Sequence, residues 1–303
     1  MARPKVVILG DIMLDRYFEI DRTKQSPEHD GLCLINPILK DENPGGAGNV
    51  ATCLAKMGIP TMIIGAVGST NLHRMLDWIP NLTNITFVVP NLECRKDRYL
   101  HEGVTHTRID TDPIAEDFRI WDPMILEIIN NLPKSCEVLI TSDYNKGTLS
   151  ESILQALKGR FQTWIADPKK TFYDAYKSEE IIIKPNSAEA LDMTSTDDTS
   201  DAIAKLAEWT PGRIVVTDSK NPILYTDKDS TKEMVIPQYE PNTVVGAGDV
   251  MTAVLAAGAI KGWDLNKSLE AGVLACKHTL SLDPGSTLDR KAWNHIVTEV
   301  TDD

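Results

Sequence analysis

Three residues with little or no side chain directly precede an aspartate in the last fifth of the chain. Gly246, Ala247 and Gly248 are followed by Asp249 and then by the apolar helical segment 250–259. Small residues at a helix start leave backbone N–H groups accessible, and the helix dipole attracts an anion to them. An aspartate beside a bound phosphate is useful if it takes a proton from an attacking hydroxyl. The pattern predicts phosphoryl transfer with Asp249 as base, but a helix start with a favourable acidic residue looks the same.

A second glycine-rich stretch lies near the N-terminus. Gly45 and Gly46 precede Ala47, Gly48 and Asn49, and a helical pattern begins there. Paired glycines let a ligand approach the backbone, and an amide side chain both donates to and accepts from sugar hydroxyls. A glycine turn with an asparagine helix cap is the alternative interpretation.

Composition excludes several classes of partner. The chain has 303 residues and a formal net charge of −13, which argues against a nucleic-acid partner and requires local cations, helix ends or Mg²⁺ to hold an anionic substrate. No apolar run reaches the roughly eighteen residues of a membrane span, so we expect no membrane partner. The first apolar run stops at Gly10 and is typical of a buried strand rather than a signal peptide, so we expect a cytoplasmic protein. Neither the five cysteines nor the six histidines have metal-ligand spacing.

Strand-like and helical patterns alternate, which favours a mostly parallel sheet covered by helices in one domain spanning residues 1–303. The predicted strands are 6–9, 61–64, 138–140, 164–166, 181–183 and 214–217. The predicted helices are 49–57, 123–131, 150–157, 202–209, 247–261 and 266–280, of which the last two should pack side by side. Segments 15–40 and 93–110 are instead typical of β-ribbons without a core of their own, so we expect them to pair as a small lid.

Together the two glycine signatures resemble the ribokinase-like (PfkB-type) carbohydrate kinases. In that family the Gly-Gly…Asn segment holds the sugar, and the Gly-Ala-Gly-Asp segment supplies the anion hole and the base. The resemblance covers nearly the whole chain and implies a three-layer α/β/α fold with a small β-lid, ATP with Mg²⁺, a sugar or sugar-phosphate substrate, and in some relatives a homodimer through the lid. Segments 10–17, 26–28, 96–98, 108–110, 142–147 and 167–169 are also similar to the D-glycero-β-D-manno-heptose-7-phosphate kinases. The chain ends at Asp303, so we expect no nucleotidyltransferase half of the bifunctional enzyme of ADP-heptose synthesis.

Two carboxylates follow the first predicted strand, at the edge where parallel sheets bind ligands. Asp11 and Asp15 suit recognition of sugar hydroxyls, and the resemblance favours that role over loop capping. It also assigns Asp143 to the substrate site.

Five cations are candidates for binding a substrate phosphate, although a solvated strand face is the default interpretation for those on the lid. We expect at least two of them to contact substrate phosphate; they are Lys96, Arg98, Arg108, Lys146 and Lys169.

The nucleotide residues are implied by the resemblance. Asn186 and Glu189 would order Mg²⁺ through its water ligands, and the Asn-x-x-Glu spacing is also a capping box. The other predicted nucleotide contacts are Thr217, Ser219, Gly246, Gly248, Gly285 and Ser286.

The chain departs from the family pattern at two places. Thr243 and Val245 stand where Asp and Thr are expected. In relatives those positions help hold a monovalent cation, so the resemblance does not imply activation by potassium here. Ser219 and Pro222 replace two glycines of the nucleotide segment, which changes how closely the backbone approaches a phosphate.

The sequence predicts ATP-dependent phosphorylation of a sugar or sugar-phosphate hydroxyl. D-glycero-β-D-manno-heptose 7-phosphate, converted to the 1,7-bisphosphate, is the favoured substrate. The alternatives are a kinase of the same fold acting on another sugar or a nucleoside, and a catalytically silent sugar-phosphate binder.

Overall fold

The computed structural model describes residues 3–20, 24–25, 28, 33–89, 92–112, 121–169, 171–227, 230–237, 245–283 and 285–302. Thr243, one of the two positions that depart from the family pattern, lies outside these residues. No helix in the described part of the chain is long and apolar enough to cross a membrane.

Strands recur from residue 6 to residue 234 in the described part of the chain. They are β1 (Val6–Gly10), β2 (Ile12–Glu19), β3 (Lys24–Gln25), β4 (Cys33–Leu34), β5 (Ile38–Gly46), β6 (Thr61–Val67), β7 (Leu82–Val88), β8 (Arg95–His101), β9 (Val104–Thr111), β10 (Val138–Ser142), β11 (Thr163–Asp167), β12 (Ile181–Ile183), β13 (Arg213–Asp218), β14 (Asn221–Asp227) and β15 (Ser230–Met234). The helices are α1 (Ala47–Lys56), α2 (Thr70–Asp77), α3 (Asp122–Asn130), α4 (Glu151–Leu157), α5 (Ser187–Thr194), α6 (Thr199–Trp209), α7 (Ala247–Lys261), α8 (Leu265–Leu280) and α9 (Arg290–Asp302).

Nine strands form the central sheet in the order β15-β14-β13-β12-β11-β10-β1-β6-β7, and all neighbours from β13 to β7 are parallel. The middle strands are short and mostly apolar, as is typical of strands buried on both faces. Successive side chains point to opposite faces: Val6 and Ile8 pack with α1, α2, α7, α8 and α9, whereas Val7 and Leu9 pack with α3 and α4. The fold is therefore a three-layer α/β/α sandwich, as the sequence predicts.

Helix α7 is apolar on every side, which is typical of a helix buried all round. Its residues from Asp249 to Gly258 are buried, and it packs along α8, as predicted. The close approach needs small residues, because a Cβ on Gly258 would meet Ser268 and one on Gly272 would meet Met251. The start of α7 is thereby held firmly over the sheet.

A second sheet of four strands, in the order β5-β2-β8-β9, stands beside the main one. It joins the two segments predicted to pair as a lid, and β2 runs parallel to β8 from Leu14 with Arg95 to Glu19 with Leu100. Strand β5 leads through Gly46 directly into α1, so the end of the small sheet and the start of a main-domain helix are continuous. We call these four strands the lid sheet.

Several elements were missing from the sequence prediction. Strands β14 and β15 pair antiparallel at the edge of the sheet, and β15 is mostly exposed and polar, so it has no apolar pattern. Helices α2 and α9 each bury only a few apolar side chains on one face, which is a weak signal in a short segment.

Candidate active site

The carboxyl ends of five neighbouring parallel strands meet at one edge of the central sheet, which is where ligands bind in open α/β sheets. Each strand end brings one polar side chain to this edge: Asp11 after β1, Asp143 after β10, Asp167 at the end of β11, Lys184 after β12 and Thr217 near the end of β13. The start of α7 lies over the same edge, so the residues of the C-terminal glycine signature join them.

Asp249 lies at the centre of this group and is only 7% exposed. Its Oδ2 accepts a hydrogen bond of 2.7 Å from the side-chain amide of Asn49, and its Oδ1 accepts one of 2.8 Å from the hydroxyl of Tyr144. Burial raises the pKa of Asp249 to about 6, although the two donors act in the opposite direction. The carboxylate is thus held in place and poised to exchange a proton near neutral pH.

The glycines before Asp249 are required by close neighbours. Gly246 has φ +85°, and a Cβ there would lie 3.1 Å from Nδ2 of Asn49. A Cβ on Gly248 would lie 3.8 Å from Nζ of Lys184, so the first turn of α7 faces this ammonium. Small residues, a helix start and a cation together form an anion site.

Lys184 is 2% exposed and forms an ion pair of 3.1 Å with Oδ2 of Asp167, which also accepts a hydrogen bond of 3.1 Å from Thr252. Burial opposes the charge on Lys184, but the Asp167 carboxylate outweighs it and the pKa of the ammonium lies above its ordinary value. An ammonium has three donors, so the ion pair leaves Lys184 able to bind an anion beside Gly248.

A cavity of about 440 Å³ lies beside the start of α7, where Ala247 and Gly248 line it. Its apolar lining is formed by Ile223, Ile236, Pro237, Met251, Val273 and Leu280, together with Cys276. Its polar lining includes Asp143, Lys169, Lys184, Asn186, Glu189 and Thr217. A flat apolar group with an anionic tail fits such a cavity.

Asn186 and Glu189 form the capping box at the start of α5 that their spacing predicts. Oδ1 of Asn186 accepts from the N–H of Glu189, and Oε2 of Glu189 accepts from the N–H of Asn186, both at 2.9 Å. Oε1 of Glu189 accepts from Lys169 at 2.6 Å. Among the described residues no three acidic, histidine or cysteine side chains could hold a metal ion alone. The donor set fits a Mg²⁺ ion that keeps waters and phosphate oxygens as most of its ligands.

The N-terminal glycine signature contacts Asp249 through Asn49, and we call the residues around this signature the sugar side of the site. A Cβ on Gly45 would lie 2.5 Å from Oδ2 of Asp15, whose Oδ1 accepts a hydrogen bond of 2.9 Å from Arg98 of the lid sheet. Gly46 has φ +60°, and a Cβ there would meet the carbonyl oxygen of Asp11 at 2.6 Å. The structure thus brings Gly45, Gly46, Asn49, Asp15 and Arg98 together.

Asp11 lies at this edge, but its carboxylate is engaged within the protein. It is 1% exposed and accepts three backbone hydrogen bonds: Oδ2 from Tyr144 and Lys146 at 2.8 and 3.0 Å, and Oδ1 from Thr148 at 3.1 Å. The geometry gives Asp11 the task of fixing the loop after β10 rather than an open position for a sugar hydroxyl.

The predicted phosphate-binding cations are divided between the two sides of the site. On the sugar side, Nζ of Lys96 lies 4.7 Å from the centre of the Tyr144 ring, and burial lowers its pKa. Arg108 is half exposed and forms a bidentate ion pair with Asp110 on its own strand. Lys146 pairs with Asp112 at 2.7 Å. Lys169, by contrast, lies in the cavity beside Glu189.

Asp143 lines the cavity and is 8% exposed. Burial, with a further contribution from the charge of Asp11, raises its pKa to about 7, although it accepts a hydrogen bond of 2.7 Å from the N–H of Asn145. It therefore adds a second group that titrates near neutral pH to the polar lining of the cavity.

The remaining predicted nucleotide residues are only partly brought together. Thr217 and Ser219 line the cavity, and Ser219 accommodates φ +48° where the family pattern has glycine. Gly285 instead packs against the lid sheet, where a Cβ would lie 2.6 Å from Asn43 and 3.0 Å from Asp41. The N–H of Ser286 donates to the carbonyl of Asp283.

Sequence reasoning did not assign a site role to Lys184 or Tyr144. Lys184 directly precedes Pro185-Asn186, and Tyr144 directly follows Asp143, so both lie beside residues that were selected. Their tasks depend on contacts with α7, about 60 to 105 residues away in the chain, for which the local sequence has no signal.

Comparison with known proteins places these features in context. The sequence model described as pfkB family carbohydrate kinase matches residues 4–282. A D-beta-D-heptose 7-phosphate kinase from Bordetella bronchiseptica is 28% identical over 272 residues, covering 84% of this chain and 84% of the relative. The bifunctional protein HldE of Azorhizobium caulinodans is 28% identical over 286 residues, covering 88% of this chain but 58% of the relative. The chain thus spans little more than half the length of the bifunctional relatives.

Solved structures share the fold. Phosphofructokinase-2 from Escherichia coli in complex with substrates and products has a TM-score of 0.72 at 19% identity, covering 99% of this chain and 100% of the other. Ribokinase from Arabidopsis thaliana complexed with ribose and ATP has a TM-score of 0.72 at 19% identity, covering 98% and 99%. The predicted three-layer architecture is confirmed.

Proposed function

The chain belongs to the pfkB family of carbohydrate kinases, and from that premise we propose that it phosphorylates the anomeric hydroxyl of D-glycero-β-D-manno-heptose 7-phosphate with ATP. One observation carries the proposal. Asp249 is hydrogen-bonded both to Asn49, which belongs to the predicted sugar segment, and to Tyr144, which lines the cavity together with Gly248.

The cavity suits a nucleoside triphosphate. Its apolar lining, which includes Ile223 and Leu280, would contact the base, and its polar lining would bind the phosphates. The terminal phosphate would then reach the amides of Ala247 and Gly248 with Lys184 beside them. These groups supply a local positive potential for the phosphates, although the protein as a whole has a net charge of −13.

The reaction follows from the position of Asp249. The sugar hydroxyl oxygen attacks the γ-phosphorus, its proton passes to the carboxylate of Asp249, and the bond to the β–γ bridging oxygen breaks to release ADP. Lys184 and the amides at the start of α7 stabilise the charge on the transferring group. Asn49 holds the sugar so that the attacking oxygen lies against the base.

Asn186 and Glu189 would hold a Mg²⁺ ion through its water ligands, and the ion would supply positive charge to neutralise the nucleotide phosphates. Lys169 would then share Glu189 with the hydrated ion, since Oε1 already accepts its hydrogen bond.

A phosphorylated sugar is favoured by the cations on the sugar side. Lys96 and Arg98 lie on the lid strand β8 next to Asp15, and β9 places Arg108 opposite Arg98. Cations on a solvated strand would serve only to protect the edge of the sheet. Arg98 does not fit that interpretation, because it is buried, with 5% of its surface exposed. The Bordetella relative, named for heptose 7-phosphate, matches this chain over 84% of both lengths, which supports that substrate.

The lid sheet would close over the sugar and exclude water, which competes as an acceptor. The lid sheet exposes Ile38, Leu39, Val104 and Ile109, and exposed apolar residues on strands favour pairing with a second copy. We therefore include a homodimer through the lid sheet in the proposal. Sedimentation of the wild type and of Val104→Lys/Ile109→Lys tests it: a wild type that is monomeric at micromolar concentration would contradict it.

A panel assay tests the function. ADP release is measured with heptose 7-phosphate, fructose 6-phosphate, ribose and adenosine, each at saturating ATP and Mg²⁺, with Asp249→Asn as the matched control for contaminating kinases. We expect the highest kcat/KM with heptose 7-phosphate and a new anomeric phosphate signal in the ³¹P NMR spectrum of its product.

Two outcomes would overturn parts of the proposal. Activity confined to unphosphorylated acceptors would reject the sugar phosphate while leaving the kinase. Tight binding of sugar phosphate without ADP release from any acceptor would reject the kinase activity and favour a silent binder.

A further inference from the structure

Tyr144 is held between two aspartates. Its hydroxyl donates a hydrogen bond of 2.8 Å to Oδ1 of Asp249, and its backbone N–H donates one of 2.8 Å to Oδ2 of Asp11. The buried carboxylate of Asp11 also binds the N–H groups of Lys146 and Thr148, so the loop that carries Tyr144 has little freedom. The place of the tyrosine hydroxyl is therefore determined by the protein before any ligand binds.

We propose that Tyr144 is a positioning residue for the base, and that its hydroxyl holds the Asp249 carboxylate where the sugar hydroxyl meets the anion site. The inference rests on the proposed function. It assigns a task to Tyr144, and through the loop to Asp11.

The two donors to Asp249 have different surroundings. Asn49 lies on the sugar side, where its amide has to serve a sugar hydroxyl, and it donates to Oδ2. Tyr144 lines the cavity, which Asn49 does not, and it donates to Oδ1. Tyr144 thus keeps hold of one oxygen while the other receives the substrate proton.

A cation of the lid sheet lies over the same ring. Nζ of Lys96 is 4.7 Å from the ring centre, and a cation over an aromatic face is attracted to it. The positive charge also makes the phenol a stronger donor. A Cβ on Gly46 would lie 3.3 Å from Cε2 of Tyr144, so the ring is packed against the turn that leads from the lid sheet into α1. Tyr144 therefore connects the lid sheet to the base.

The electrostatic consequence has a definite sign. Burial raises the pKa of Asp249, the charges of Asp167 and Asp15 raise it further, and the hydrogen bonds from Asn49 and Tyr144 lower it. Tyr17 and Lys184 also face the carboxylate. Loss of the Tyr144 hydroxyl removes a donor to the charged form, so the pKa must move upward from about 6. A base acts when deprotonated, so the acid limb of activity moves to higher pH with it.

The test compares Tyr144→Phe with Tyr173→Phe. Phenylalanine keeps the ring that packs against Gly46, and Tyr173, which packs edge-on against Tyr176, makes a matched loss of a hydroxyl on a neighbouring segment. Asp249 is titrated by NMR in protein labelled with ¹³C at the aspartate carboxyl carbon, without substrate, and its signal is identified by its loss in Asp249→Asn.

We expect the titration of Asp249 to rise by about one pH unit in Tyr144→Phe and to stay in place in Tyr173→Phe. The acid limb of kcat/KM should move by the same amount, while kcat at pH 7 falls and the KM for ATP is unchanged. An Asp249 that titrates in Tyr144→Phe as it does in the wild type overturns the inference, because a merely structural tyrosine would lower stability without moving this titration.

Lys96→Met in the wild-type and Tyr144→Phe backgrounds tests the connection to the lid sheet and provides a second variant that leaves the tyrosine in place. If Lys96 acts through the hydroxyl, its effect on the Asp249 titration shrinks in the phenylalanine background. Equal effects of Lys96→Met in both backgrounds would show that the lid sheet does not act on Asp249 through the tyrosine hydroxyl.

The NMR titration needs no turnover, so it distinguishes failure of this inference from failure of the proposed function. If the wild type is inactive but the pKa of Asp249 is raised in Tyr144→Phe, only the proposed function is rejected. If the wild type is active but the pKa of Asp249 is unchanged in Tyr144→Phe, only the role of Tyr144 is rejected.

Discussion

The side-chain amide of Asn49 donates a hydrogen bond of 2.7 Å to Oδ2 of Asp249, which joins two residues 200 positions apart in the chain. Each belongs to one of the two glycine signatures. A Cβ on Gly246 would lie 3.1 Å from the same amide, so the two signatures are in direct contact. The contact places Asn49, the predicted sugar-binding residue, directly beside Asp249, the predicted base.

Alanine at the two glycines of the anion site should have different effects. Gly248→Ala adds a methyl group 3.8 Å from Nζ of Lys184 without backbone strain, so we expect the melting temperature to be kept. The methyl group stands where the transferring group must bind, so kcat should fall by roughly 10²-fold.

Gly246→Ala is the matched comparison. Its φ of +85° disfavours alanine by about 1 kcal/mol or more, and the methyl group presses on Asn49, so both melting temperature and activity should fall. Wild-type turnover in Gly248→Ala would show that the start of α7 does not hold the transferred group.

Variants of the Lys184–Asp167 ion pair allow effects on stability to be measured separately from effects on phosphate binding. Lys184→Met leaves a buried carboxylate without its cation, which costs about 3–5 kcal/mol of unfolding free energy. The double variant Lys184→Met/Asp167→Asn removes that charge and should recover most of the melting temperature. Calorimetry should still find weaker ATP binding in it. Wild-type ATP affinity and kcat in the double variant would exclude Lys184 from the anion site.

The strands in the middle of the sheet could be predicted because each is a short apolar run, and α7 could be given its bounds because its apolar residues continue to Lys261 before Gly262. Strand β15 could not, because its side chains are exposed and its place depends on pairing with β14. The same reason applies to Asp11. Its position after β1 is evident from the sequence, but the three amides that occupy its carboxylate come from a loop more than 130 residues away.

The two glycine signatures are recognisable because small residues beside a polar one are a local pattern. Lys184 and Tyr144 have no such pattern. Lys184 pairs with Asp167 on the neighbouring strand β11, and Tyr144 donates to Asp249 of α7, about 100 residues later in the chain. Contacts between distant segments account for most of what the sequence did not predict in the site.

Activity should fall in acid as Asp249 becomes protonated. Its pKa is raised by burial to about 6, and the base works only above that value, so kcat/KM should fall about tenfold for each pH unit below it. A pH profile of kcat/KM at saturating ATP checks this. A profile that is flat from pH 8 down to pH 5 would be inconsistent with a buried carboxylate as base.

Stability should have the opposite dependence on pH at Asp143. A folded-state pKa raised from 3.8 to about 7 favours the protonated form, so its stabilising contribution is present below pH 4 and is lost as the pH rises through 7. Asp143→Asn keeps an acceptor for the N–H of Asn145 and removes the charge. Thermal melts should show the variant more stable than the wild type at pH 8, with the difference vanishing near pH 4; a constant difference would contradict the raised pKa.

The assignment of the base is tested most directly by Asp249→Asn under single-turnover conditions with ATP, Mg²⁺ and heptose 7-phosphate. Asparagine keeps the size of the side chain and an acceptor for Tyr144, so binding of both substrates should be retained while the rate of phosphoryl transfer falls by about 10²–10⁴. A variant that binds both substrates and transfers phosphate at near the wild-type rate would contradict the central claim, because no proton would then need to pass to Asp249.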